Sequence, residues 1–395
     1  MMHEWEKLLI FSIIISFANG ILDTFIGMYL IDVTRSYLML ALAVVLPNVM
    51  AISSKIWGLI SDYYGTRKRF IVIGATLSSA VWLVLVFSLS PQGVILVSSI
   101  GAALWGIGEP AYYAAILEGT SEKGKRMGIY NATSIGLLTL GTLTSGTLYD
   151  LLGGRALVAF ASALFLLATL YVAVAYKEVG SRRKGCKLKS YLRRNFTFTL
   201  VREPELRILN ISMLVGDVIS SAAYPILWGR YYRIVNYNHE VYSLVRAVSI
   251  GAASIASLGM GFFVDKAGGY LSYLASQASA IPLMYIYANS EDPLLLALLL
   301  MIPLGLLKYI ALYKLYTDVC GEIAGDAIGT VNTISRLAAL PGTYLASLAD
   351  VYGELLVLES FALFKGVAVL IALLCPRGKE NKNAPSSSER PFEAH

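Results

Sequence analysis

Seven charged side chains stand where charge is expensive: Asp23, Glu109, Asp217, Arg246, Lys308, Arg336 and Lys365 each lie well inside an apolar stretch. A charge at the centre of a bilayer costs roughly 2.5–3.5 kcal/mol on insertion scales, so such residues pair with one another, bind solutes or relay protons. Asp23 ends a polar stripe with Ser12, Ser16 and Asn19, at steps of four, three and four along one helical face. Asn210, Asp217, Ser221 and Tyr224 make a similar stripe. The hydroxyls on these stripes are expected to join helices, and the carboxylates to do chemistry. Aligning Leu104-Trp105-Gly106 with Pro303-Leu304-Gly305 sets Glu109 opposite Lys308, each three residues after its glycine. An acid and a base at equivalent depth can form an ion pair that a proton or a bound solute breaks. Arg246 and Arg336 can hold an anion or neutralise Asp217 and Asp23. Lys365 has no evident role in the sequence.

These groups must be carried by membrane helices. The chain has 395 residues, 56% hydrophobic and 15% charged, a balance that suits a polytopic membrane protein. Twelve apolar segments can be counted: 8–31, 37–57, 70–89, 94–118, 127–148, 155–176, 207–229, 240–262, 271–288, 294–315, 326–347 and 355–374. Basic residues crowd one side of this arrangement. The other side holds Arg35, Arg155, Arg230 and Arg233, so the bias sets both termini in the cytoplasm. The net charge of +6 therefore points to membrane topology and not to nucleic acid. The expected organisation is a six-helix bundle over 1–176, a basic cytoplasmic linker over 177–206, a second six-helix bundle over 207–376 and a disordered tail over 377–395. Prolines at 47, 110, 225, 303 and 341 free carbonyls inside helices and permit bends. Small residues let helices approach closely at Gly136, Gly141, Ser145 and Gly146, and at Ala253, Ser257 and Gly261.

Between the second and third segments the chain reads Gly58-Leu-Ile-Ser-Asp62-Tyr-Tyr-Gly65-Thr-Arg67-Lys68-Arg69. The spacing returns 203 residues later as Gly261, Asp265 and Gly268. A repeat at half the chain length implies two homologous halves. This doubled loop resembles the signature of the major facilitator superfamily, with Tyr63 in place of the usual basic residue and Thr66 inserted before the basic pair. The resemblance implies twelve transmembrane helices in two pseudo-symmetric six-helix bundles, an all-α membrane fold, around one midplane cavity lined by helices 1, 4, 7 and 10. Those helices carry Asp23, Glu109, Asp217 and Lys308. It implies contacts between helices 5 and 8 and between 2 and 11. It also implies a cytoplasmic gate at Gly58, Asp62, Gly65, Arg67 and Asp265, with Asp62 beside Asp326-Ala327 and Arg67 or Arg69 beside Glu118.

The activity so implied is secondary transport by alternating access, with no enzyme activity and no cofactor. The sequence favours proton-linked export of a small organic molecule, because Asp23 resembles the membrane acid of several proton-linked exporters. Against this, Thr142 stands where drug–proton antiporters carry proline, and the region of Ala102 lacks their arginine. Uptake of an organic anion is the alternative that Arg246, Lys308 and Arg336 support. A non-transporting receptor is a third class, disfavoured by the cavity acids and both loops. The expected partners are the lipid bilayer, a small-molecule substrate and protons, for a monomer in the plasma membrane. No metal site is expected, since His3, His239 and His395 do not cluster and Cys186, Cys320 and Cys375 have no ligand spacing. Gly119 to Lys125 resembles the start of a phosphate-binding loop, but Arg126 follows where Ser or Thr would hold magnesium.

Overall fold

A computed structural model describes residues 3–117, 123–178, 188–190, 204–320 and 324–375. Its helices are α1 (Glu4–Thr34), α2 (Tyr37–Met50), α3 (Ser54–Tyr64), α4 (Lys68–Phe87), α5 (Pro91–Leu117), α6 (Lys123–Ala175), α7 (Pro204–Ile234), α8 (His239–Ala267), α9 (Gly269–Asn289), α10 (Pro293–Leu300), α11 (Leu304–Cys320), α12 (Ala324–Ala346), α13 (Leu348–Tyr352) and α14 (Glu354–Leu373). No strand occurs among the described residues. Among the described residues eight helices are long and apolar enough to cross a membrane, and nine if the bent α8 is one broken span. Each of the twelve expected segments falls on one of these helices, on an arm of α6, or on a pair joined by a short break. Large apolar side chains on the outer faces are bare, as on Val84, Leu170, Val174 and Leu363. Such a belt suits lipid and not water.

The chain reverses direction with very little loop. α6 is two arms that meet at Gly153, where φ is 73° and ψ 162°. Gly353, a similar joint between α13 and α14, has φ 86° and ψ 151°. That backbone region is essentially restricted to glycine. The two joints are 200 residues apart, a second repeat at half-chain length beside the Gly-Asp-Gly loops.

Proline breaks fall mostly where expected. Pro47, Pro110, Pro225 and Pro341 lie inside helices, as does Pro282. Pro303 instead sits in the gap between α10 and α11, so one span is built from two helices whose junction leads directly to Gly305 and Lys308.

Helix contacts sort by chain half. Two buried apolar clusters draw only on residues before 177, and a third only on residues after 205. A fourth joins Met28, Tyr37 and Leu40 to Ile226, Tyr232 and Phe361. The α1–α6 contact is the tightest. A Cβ on Gly20 would lie 2.2 Å from the Leu138 carbonyl oxygen, and one on Gly141 would lie 2.1 Å from that of Phe17. Between the halves α6 packs on α8, and α2 on α12, the two contacts the resemblance implied. The close approach of α6 to α8 runs through Gly146, whose Cβ would lie 2.3 Å from the His239 carbonyl oxygen. Gly136 and Gly261 differ from expectation, since a Cβ on either would meet nothing.

Candidate functional site

A cavity of about 880 Å³ lies between the two sets of helices. Six of the seven charged residues line it: Asp23, Asp217, Arg246, Lys308, Arg336 and Lys365. Glu109 is half-buried and set apart from the lining, and Arg336 is the cation whose field reaches it.

The second half supplies a buried ion pair. Lys308 on α11 donates to Asp217 on α7, and the Ser335 hydroxyl of α12 donates to the other carboxylate oxygen. Lys308 is thus held by Asp217 and not by Glu109, the partner that aligning the two halves proposed. The reason is local. α7 and α11 both face the cavity and place these side chains against each other inside one half, while Glu109 belongs to α5 of the other half.

The polar stripes divide by role. On α1, Ser12 bonds Ser134 of α6 at 2.6 Å, a helix-joining contact. Further along, Asn19 and Asp23 reach the cavity. On α7, Asn210 accepts from the Tyr316 hydroxyl, whereas Asp217, Ser221 and Tyr224 line the cavity. Asp23 is exposed to the cavity and has no hydrogen-bond partner among the described residues. The cation whose field acts on it is Arg246 of α8. Among the described residues Arg246 makes one long hydrogen bond, donating to the Tyr242 hydroxyl of its own helix at 3.3 Å, and it sits 5.8 Å from the centre of the Trp228 ring.

Lys365, for which the sequence offered no role, is the best-tied side chain in the cavity wall. It is 3% exposed and donates to the Gly216 carbonyl oxygen at 2.8 Å, Ser220 Oγ at 2.8 Å and Gln277 Oε1 at 2.7 Å. α14 therefore reaches the cavity through this one residue.

At the end away from the Gly-Asp-Gly loops, the halves are bound by a polar network that the sequence reading missed. The Asp350 carboxylate accepts from Ser36 Oγ at 2.9 Å, Tyr37 N at 2.8 Å and Leu38 N at 3.1 Å. It thereby caps the first turn of α2 from the opposite half, where the helix dipole favours an anion. The Tyr37 hydroxyl donates to Glu354, which also accepts from Arg230 at 3.3 Å and Arg233. Asp32 accepts from the Tyr232 hydroxyl at 3.0 Å, and the His239 ring lies between Asp32 and Asp150. Arg230 and Arg233, counted from the sequence as loop residues, are in the last turns of α7. The signal was present in the acids flanking Gly353, but charges near span ends read as loop.

The family can be stated from these features together with a match of the whole-family model for the Major Facilitator Superfamily over residues 8–343. The chain belongs to the major facilitator superfamily. Solved structures agree in fold. A mutant of the nucleoside transporter NupG superposes with a TM-score of 0.79 at 14% identity, over 94% of this chain and 99% of that one. A POT family transporter in complex with 5-aminolevulinic acid gives 0.70 at 12%, over 93% and 94%. A bacterial homologue of the human lysosomal transporter Spinster, inward-facing and unoccupied, gives 0.71 at 13%, over 95% and 97%. No curated protein matches the chain in sequence. The protein is thus a membrane protein with the fold of transporters.

Within this superfamily fold the first signature loop is held by its own residues together with Glu178 and Pro110. Gly65 caps α3 in the left-handed region, and Arg67 donates to Asp62 at 2.6 Å and Ser61 Oγ at 2.9 Å. Glu178 accepts from the backbone N–H groups of Arg67 and Lys68, so it takes the first-turn role at α4. Gly58 presses on Pro110 of α5, where a Cβ would lie 3.1 Å away. In the second loop Asp265 accepts from Lys314 at 3.2 Å. Glu118 and the side chain of Asp326, the expected partners across the gate, lie outside the described residues. Asp62 is half-exposed, so its ion pair is worth at most about 1 kcal/mol. Asp62→Asn is accordingly expected to leave the amount of folded protein nearly unchanged while abolishing transport. Yield after size exclusion and flux in vesicles check this, and normal flux would reduce the loop to a tight turn.

Proposed function

We propose that the protein is a secondary active transporter that carries a small organic molecule through this cavity by alternating access, coupled to protons and working in the direction of export. In this reading it is a monomer of the plasma membrane with both termini in the cytoplasm, and its partners are the bilayer, the solute and protons. Asp23 carries the proposal. It is an acid on the cavity wall without a hydrogen-bond partner among the described residues, facing the field of Arg246 from the other half. A carboxylate so placed can hold a proton in one state of the cycle and a counter-cation in the other. The network of Asp350, Glu354 and His239 is the closed gate on the outer side, and the two signature loops form the inner one.

A second reading, uptake of an organic anion, is supported by the lining cations Arg246, Lys308 and Arg336. Proteoliposomes with a proton gradient imposed in either sense separate the two by the direction of flux. Asp23→Asn, which imitates the protonated form, is expected to remove the dependence of net transport on the gradient while exchange at equal pH persists. Proton-driven accumulation by that variant would make Asp23 structural and shift the role to Glu109 or Asp217.

A further inference from the structure

Six of the seven intramembrane charges fall into opposite pairs. Asp217 meets Lys308 by contact, while Asp23 feels Arg246 and Glu109 feels Arg336. Lys365 touches no acid among the described residues. The acid whose field reaches it, Asp217, is already engaged by Lys308 and Ser335. Its own ligands are three neutral oxygens, from Gly216, Ser220 and Gln277. Holding charge on a buried amine with no carboxylate in contact is costly, and a charge-assisted bond to an anion is the strong way to offset it.

The same corner holds a second incomplete group. Gln277 is 1% exposed, lines the cavity, and its Nε2 has no hydrogen-bond partner. Its orientation is set, because Oε1 accepts from Lys365. The Tyr273 hydroxyl feels this amide but is bonded to Ser212 Oγ at 2.9 Å. Gly216 makes the room: a Cβ there would lie 3.0 Å from Gln277 Nε2. An orphan buried donor is costly, so this corner is unsatisfied twice, once in charge and once in hydrogen bonding, and both defects ask for an acceptor that bears negative charge.

We propose that Lys365 and Gln277 form the subsite that receives the anionic group, a carboxylate or a phosphate, of the transported solute, which displaces Ser220 from Lys365. The proposal rests on the reading of the cavity as a transport site, and it holds for either direction of flux. Entry requires the buried Lys365 and Gln277 heads to be uncovered toward the cavity and Ser220 to release Lys365. Ser220 Oγ already donates to the Gly216 carbonyl oxygen at 2.9 Å, so it keeps that bond when it gives up the Lys365 N–H. One oxygen of the anion takes the freed Lys365 hydrogen and another takes the Gln277 Nε2 hydrogen. Trp82, Trp105 and Trp228 line the same cavity, which favours a solute whose anionic group is attached to an apolar or aromatic body.

The test uses purified full-length protein in a neutral detergent. Benzoate and phenyl phosphate are the anionic probes, and benzamide and benzylamine the neutral and cationic counterparts. Tryptophan fluorescence and the apparent thermal midpoint are read for each. At least one anion is expected to bind, and neither counterpart; which anion binds tells carboxylate from phosphate. Lys365→Met is expected to weaken that binding about 10- to 100-fold. Gln277→Glu supplies a built-in anion, so it should abolish binding and raise the midpoint without ligand, and it decides the matter if Lys365→Met fails to fold. Three results overturn the proposal: unchanged anion affinity in both variants, preference for benzylamine, or no anion binding at about 10 mM, near the weak end of the affinity scale. Flux of an amine without anion binding would remove the subsite and keep the transporter. Anion binding in a protein with no flux of any compound would do the reverse.

Discussion

Asp217→Ala is expected to be among the most destabilising single substitutions in the chain. Asp217 is 2% exposed and Lys308 6%, and the pair is further satisfied by Ser335. Removing the acid leaves the Lys308 ammonium buried beside Lys365, with two cations and no carboxylate in the same wall. Breaking a buried pair in this way costs about 3–5 kcal/mol, whereas replacing both members by apolar groups is often neutral. The apparent thermal midpoint in detergent should therefore fall steeply for Asp217→Ala and recover in Asp217→Leu/Lys308→Met. Lys308→Met alone should cost less than Asp217→Ala. The stranded carboxylate keeps its bond from Ser335 and has Lys365 nearby as a substitute cation. A midpoint for Asp217→Ala equal to that of the parent would show that the site is wet enough to solvate Lys308, and the pair would lose its role in holding α7 against α11.

The helices, their order and the family-like loop are legible in the sequence because they rest on local signals. Apolar runs of the length of a bilayer crossing mark the spans, and glycine spacing marks the repeat. The charged residues are legible for the same reason, since each is improbable where it stands. Their pairing is not. Which acid Lys308 meets depends on how α7, α11 and α12 face one another, and the symmetry argument that placed Glu109 opposite Lys308 compared depths without knowing which side chains share a wall. Lys365 has no account in the sequence because its contacts are made by one long side chain reaching from α14 to Gly216 and Gln277. The network at the far end was invisible for a different reason. Asp32, Asp350 and Glu354 lie at span ends, where charges carry no penalty and so no signal.

That network sets the second large effect, on the balance between shut and open states in the proposed alternating-access cycle. Asp350 takes three hydrogen bonds from the N-cap and first turn of α2, and Tyr37 carries a fourth to Glu354. All four cross from one half to the other, so they favour the state in which this end is shut and are absent when it opens. Asp350→Ala/Tyr37→Phe removes them without touching the Arg230–Glu354 pair inside the second half. At roughly 0.5–1.5 kcal/mol for each net bond, the loss is about 2–4 kcal/mol after exposure of Asp350 is allowed for. That is on the order of a 30- to 1,000-fold change in the ratio of shut to open. Val33 and Val351 are exposed at this end on opposite halves, and spin labels there, in a background with Cys186, Cys320 and Cys375 replaced, report the opening. The double variant is expected to shift the distance distribution to longer values. His239 adds a pH lever to the same end. Its Nδ1 faces Asp150 and its Nε2 faces Asp32 at 3.0 Å, and a ring that donates to two carboxylates must carry hydrogen on both nitrogens. Tyr149, Tyr232 and Glu240 complete the titratable surroundings of the ring, and Tyr232 already donates to Asp32. Below the titration of His239 the closure is complete. Above it one donor is lost, so the open population should rise with pH in the parent and stay flat in His239→Gln. An unchanged distance distribution in the double variant, at low and high pH alike, would mean that the apolar cluster around Tyr232 and Phe361 shuts this end without help from the polar network.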